Sequence, residues 1–147
     1  MSDLRELYQE VILDHRRQPR NFREMEEANR RLEGYNPLCG DRVTVYLQVK
    51  DDVVQDVSFQ GMGCAISTAS ASMMTELLKG KKVEEAEVIF KHFQDLVTGK
   101  SDGSDGVGKL VVFAGVSEFP LRVKCAILPW HTLRGALKQQ ADAVTTE

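Results

Sequence analysis

Between Asp41 and Lys50 every second residue from Val43 onward is apolar: Val43, Val45, Leu47 and Val49. A period of two puts those four side chains on one face of a strand and the polar residues between them on the other. Asp51-Asp52 follows, and then a second run over 53–59 with Val57 and Phe59 on the apolar side. Two extended runs joined by so short a turn form an antiparallel hairpin. The chain must therefore build a sheet with one apolar face, and something apolar must cover that face.

The rest of the sequence supplies helices to do so. Asp3 and Glu6 form a capping pair. Leu4, Leu7, Tyr8, Val11 and His15 then recur at helical spacing, which predicts a first helix ending near 15–17, before Pro19. Residues 20–31 are polar with weak periodicity and read as a loop or short helix. Residues 32–37 read as a short extended segment. After Gly61-Met62-Gly63 breaks the second strand, a helix is expected over 65–79, stopped by Gly80. A second amphipathic helix is expected over 83–97, stopped by Gly99. Residues 100–108 read as a flexible loop and 110–115 as a short helix. A last helix should run over 120–140, with Pro120 in its first turn and Pro129 distorting it locally. The expected fold is one α+β domain over 1–147: a small antiparallel β-sheet with helices packed on one face.

At 147 residues the chain can bury a core without disulfides. Its net charge of −3 provides no electrostatic footprint for nucleic acid or an anionic membrane. No apolar run approaches the roughly 20 residues of a membrane span, and the N-terminus has no signal-peptide pattern. Three cysteines cannot all be paired within the chain. Together these features suggest a cytoplasmic protein whose thiols serve metal or catalysis.

The cysteines are Cys39 in Pro37-Leu38-Cys39-Gly40-Asp41, Cys64 after Gly61-Met62-Gly63, and Cys125 in Arg122-Val123-Lys124-Cys125. Cys39 and Asp41 flank a glycine that permits a tight turn. Cys64 stands at the expected start of a helix, where the dipole and free N–H groups favour a thiolate. The hairpin can return Cys64 to the sheet end that carries Cys39. Cys125 lies inside the last helix, and only packing could bring it in. Three thiolates and a carboxylate suit one tetrahedral ion such as zinc. Taken singly, each cysteine is also consistent with a small buried hydrophobe.

As an ordered set, these stretches resemble the IscU/SufU family of iron–sulfur cluster assembly proteins. The matching segments are Asn36-Pro37-Leu38-Cys39-Gly40-Asp41, then Gly61-Met62-Gly63-Cys64 running on to Met74, then Arg122-Val123-Lys124-Cys125-Ala126. The opening helix Leu7 to His15, Pro19-Arg20-Asn21 and the final Leu128-Pro129-Trp130-His131-Thr132-Leu133 extend the likeness over nearly the whole chain. Two departures from IscU resemble the SufU branch: Lys124 stands where an IscU scaffold carries histidine, and the segment between Cys64 and Cys125 is longer. The resemblance implies a zinc-dependent sulfurtransferase, with Cys39, Asp41, Cys64 and Cys125 on Zn2+. Cys39 would accept persulfide sulfur from a SufS-type cysteine desulfurase, a pyridoxal-phosphate enzyme, after a partner histidine replaces it on the metal. The sulfur would pass to downstream cluster-assembly machinery. Two alternatives stand beside this reading: a scaffold holding a transient iron–sulfur cluster, and a purely structural zinc module.

Other residues carry less. His92 and His131 read as surface or core residues more readily than as ligands. Lys124 is either a solvated charge or a counter-charge to the thiolates, and Arg122 is expected near the same mouth. Met62, Met73 and Met74 read as core or interface packing, and Trp130 as core.

Overall fold

A computed structural model describes residues 2–101, 107–139 and 144–145. Helix α1 spans Ser2–Arg17, followed by strands β1 (Arg30–Asn36), β2 (Asp41–Lys50) and β3 (Val53–Met62). Helices α2 (Ala65–Leu78) and α3 (Val83–Val97) come next, then a 3₁₀ segment (Gly108–Glu118), helix α4 (Pro120–Leu137) and a two-residue strand β4 (Val144–Thr145). The sheet order is β3-β2-β1-β4, antiparallel except for the parallel β1–β4 pair.

The β2–β3 hairpin forms as its alternation requires. Asp51 and Asp52 both have positive φ, 54° and 61°, the backbone of the two-residue turns whose twist matches the strands. The inward residues Val45, Leu47, Val54 and Val57 are fully buried. The structure moves several expected boundaries. β1 begins at Arg30 and pairs with β2 along its length, down to Asn36 opposite Asp41. β3 runs on to Met62, since Gly61 pairs with Val43 inside the ladder. A side chain at 61 would strike the Arg42 carbonyl, so glycine continues the strand here where it was expected to break it. The expected short helix over 110–115 is a longer 3₁₀ segment. Residues 102–106 and 140 lie outside the described residues.

Helices α2 and α4 pack against the apolar side of the sheet, and α3 and the 3₁₀ segment close over α4. Trp130 is fully buried, stacked on Phe93 with ring centroids 4.8 Å apart. Its indole N–H donates to Ser70 Oγ (3.1 Å), which donates to the Ala126 carbonyl (2.6 Å), fixing α4 against α2 one residue from Cys125. Helix α4 passes through Pro129 without a break. Proline cannot donate to the carbonyl four residues back, which is that of Cys125. Met73 and Met74 are core as expected, but Met62 is 78% exposed. On α1, Tyr8, Val11 and Ile12 pack against the core and His15 is buried, whereas Leu7 faces outward. Among the described residues no helix is long and apolar enough to cross a membrane.

Candidate metal centre

The centre lies at the sheet end where the β1–β2 turn, the end of β3 and two helices meet. Asn36 shapes the turn: its carbonyl accepts from the Gly40 N–H (2.9 Å) and its Oδ1 from the Leu38 N–H (3.0 Å). Gly40 has φ +77°, which lets the chain double back between Cys39 and Asp41. Cys39 is half-buried on this turn, and its Sγ lies 3.5 Å from the Sγ of Cys125. Asp41, the first residue of β2, is 1% exposed.

Cys64 caps the N-terminus of α2, its Sγ accepting from the Ser67 N–H at 3.5 Å. Its backbone N–H donates to Asp41 Oδ1 (2.9 Å), and its thiol lies 3.7 Å from Asp41 Oδ2. Gly63 makes that approach possible, since a Cβ there would sit 2.8 Å from Asp41 Oδ1 and collide with Ser67 Oγ.

The four sequence-derived residues are therefore not equivalent. Donor atoms of Cys39, Asp41 and Cys125 all lie within 4.8 Å of one another. Cys64 stands outside that trio, exposed, and reaches it through Asp41. The donor set fits zinc. Zinc–sulfur bonds of about 2.3 Å at the tetrahedral angle set sulfur–sulfur edges of about 3.8 Å. The 3.5 Å Cys39–Cys125 separation is an edge of that size, and Cys64, 3.7 Å from Asp41 Oδ2, would have to draw closer to the trio to complete the tetrahedron. In the absence of a cation the site favours protonated thiols. Burial above all, then the Asp41 carboxylate, raises Cys39 above the ordinary thiol value. Burial, then Asp41 and then Cys39, raises Cys125 much further. A divalent ion inverts this balance by holding the sulfurs as thiolates.

Among the described residues, no histidine belongs to the donor trio. His15 is buried between α1 and α2, its Nδ1 2.7 Å from Ser72 Oγ. His131 packs edge-on to Phe90, and His92 is half-buried on α3. Arg122 is exposed over the Phe119 ring at 4.5 Å, and Lys124 is half-buried beside Cys125. Asn36 and Ser67 received no role from residue chemistry. An asparagine that closes a turn two residues on is a readable Asx signal. Ser67 follows from its place three residues after the cap.

Residues 7–126 match the model of the NifU-like N terminal domain. The chain belongs to the IscU/SufU family of iron–sulfur cluster assembly proteins. It is 42% identical to the zinc-dependent sulfurtransferase SufU of Bacillus subtilis over 95% of both chains. It is 36% identical to the iron–sulfur cluster assembly scaffold protein IscU of Streptococcus pyogenes, over 97% of this chain and 90% of that one. Its fold matches the crystal structure of a putative SUF-system scaffold protein from Fervidobacterium islandicum. The TM-score is 0.83 at 39% identity, covering 87% of this chain and 94% of that one. Within the family, this chain brings together Cys39, Asp41 and Cys125 as a candidate metal site.

Proposed function

We propose that the protein is a zinc-dependent sulfur acceptor of the SufU type, serving a pyridoxal-phosphate cysteine desulfurase. One observation carries the reading: half-exposed Cys39 sits on a turn, while the Asp41 and Cys125 donors beside it are buried on a strand and a helix. Lys124 before Cys125 and the 42% identity to a zinc-dependent sulfurtransferase support the same branch. Cys39, Asp41, Cys64 and Cys125 would hold zinc, which when bound keeps the sulfurs deprotonated and therefore nucleophilic.

The residues divide the work. The buried carboxylate of Asp41 is anchored by the Cys64 N–H, and Cys125 is fixed by the Ser70–Ala126 clamp on α4. Both stay in place when the turn moves. Cys64 is the most exposed donor, but its helix cap ties it to Ser67. Cys39 attacks the terminal sulfur of the desulfurase persulfide. A new S–S bond forms on Cys39, the old one breaks, and the desulfurase cysteine leaves as a thiolate. An acceptor thiolate of the assembly machinery then takes the terminal sulfur, and Cys39 leaves as a thiolate.

The test is desulfurase turnover with and without the protein. Stimulation is expected with wild type and absent with Cys39→Ala. Stimulation unchanged by Cys39→Ala overturns the role of Cys39. The relatives named as IscU scaffolds favour a second reading, in which the same donors hold a nascent cluster as cargo. Anaerobic reconstitution separates the two: the sulfur-acceptor reading expects retained zinc and no transferable cluster.

A further inference from the structure

Cys39 and Cys125 are 86 residues apart in sequence, yet their sulfurs are 3.5 Å apart. The third thiol, Cys64, is directed at Asp41 Oδ2 and the Ser67 N–H instead. A sulfur–sulfur bond is about 2.05 Å long, so the pair must close by roughly 1.5 Å. The turn that carries Cys39 lies at the surface, and Leu38 beside it is 65% exposed. Cys125 is buried on a clamped helix, beyond direct reach of a solute.

We propose that, without zinc, Cys39 and Cys125 are a resolving pair, in which Cys125 captures any electrophilic sulfur formed on Cys39 as an internal disulfide. With a peroxide as oxidant, Cys39 becomes a sulfenic acid and water leaves. The Cys125 sulfur then attacks Cys39, and hydroxide departs with the Cys125 proton as a second water. With a persulfide on Cys39 the same attack displaces hydrosulfide, which departs with that proton as hydrogen sulfide. The sulfane sulfur is reduced to sulfide while two thiol sulfurs are oxidised to the disulfide. The persulfide branch rests on the sulfur-acceptor reading above; the peroxide branch does not.

The consequence is a second role for the metal. A Cys125 held as a ligand cannot attack its neighbour, so a loaded site preserves a Cys39 persulfide that an empty site would discharge.

The experiment treats the full chain, zinc-loaded or stripped by a chelator, with hydrogen peroxide or with inorganic tetrasulfide. Products are read by intact mass and non-reducing peptide mapping. The expected metal-free product in both arms is about 2 Da lighter than the dithiol form, through one Cys39–Cys125 crosslink with Cys64 still alkylatable. Zinc-loaded chain in the tetrasulfide arm should keep an adduct of about 32 Da on Cys39. Metal-free Cys125→Ser should keep it too, whereas Cys64→Ser should crosslink like wild type. The regiochemistry guards against unfolding: loop closure in a disordered chain favours the shorter Cys39–Cys64 ring about six-fold. A Cys39–Cys64 crosslink, or a persulfide that persists beside free Cys125, overturns the proposal. A peroxide crosslink with Cys39 untouched by tetrasulfide supports the pair and counts against the sulfur-acceptor reading alone.

Discussion

Two clusters of buried polar groups in this molecule are treated differently. Along the seam of α1, α2 and α4 they close on one another. His15 pairs with Ser72, which also accepts from the Arg20 N–H; Trp130 donates to Ser70, and Ser70 to Ala126. At the sheet end they converge without closing. Two thiols face each other at 3.5 Å beside a buried carboxylate, and the Nδ2 of fully buried Asn36 has no partner among the described residues. Buried polar atoms are normally paired, and the exceptions call for a reason. The seam behaves as structure. The sheet end carries the open donors of a candidate metal site.

That contrast breaks most easily at Cys39. Cys39→Ser should abolish sulfur acceptance while leaving the thermal unfolding midpoint of the metal-free protein within a few degrees of wild type. Cys125→Ser should cost more than the 10–100-fold in zinc affinity typical of losing an outer partner of a metal ligand, measured by chelator competition. In the seam the pattern reverses. Ser70→Ala leaves the Trp130 indole N–H unpaired in the core and removes the second bond to the Ala126 carbonyl, and should cost about 1–3 kcal/mol in denaturant unfolding. Its zinc stoichiometry should stay at that of wild type.

Acidity should sharpen the comparison further. Burial first, then Arg20, holds His15 below its ordinary value, against the opposing pull of Glu76 and Asp14. Its unfolded form, near pKa 6.5, therefore binds a proton more readily than its folded form. The stability it contributes is intact above about pH 6.5 and is lost as pH falls through the lower folded value. Burial, then Arg134, lowers His131 in the same direction. Replacing both histidines by glutamine should flatten that limb of a stability–pH curve measured on metal-free protein. The smallest effect should come from the surface pair Arg23–Asp56, 2.6 Å apart. Arg23→Ala should change stability by less than about 1 kcal/mol.

How far the sequence could be read follows from the range of the forces involved. The hairpin was legible because alternation and turn chemistry are local, and α2 because Gly63-Cys64 marks its start. The α+β class and the family followed from ordered motifs. β1 was only partly legible: Arg30 and Arg31 look like loop, but pairing with Leu47 and Tyr46 makes them strand. Gly61 misled because its reason, contact with the Arg42 backbone, lies on another strand. At the site, the Cys39–Asp41 turn was visible in three residues. The meeting of Cys125 with Cys39 was not, for it depends on the Ser70 clamp between α2 and α4. The standing of Cys64 outside the tight trio was equally hidden, since a helix cap and a metal ligand use the same sulfur.

A SufU-type sulfur acceptor, loaded with zinc, should take sulfur on the turn-borne Cys39 and on no other cysteine. Zinc-loaded chain should be incubated with a cysteine desulfurase and cysteine, alkylated, and mapped by peptide mass spectrometry. One added sulfur, about 32 Da, is expected on the peptide carrying Cys39, with Cys64 and Cys125 unmodified. Added sulfur on Cys64, the most exposed of the three thiols, or on no cysteine at all, would contradict it.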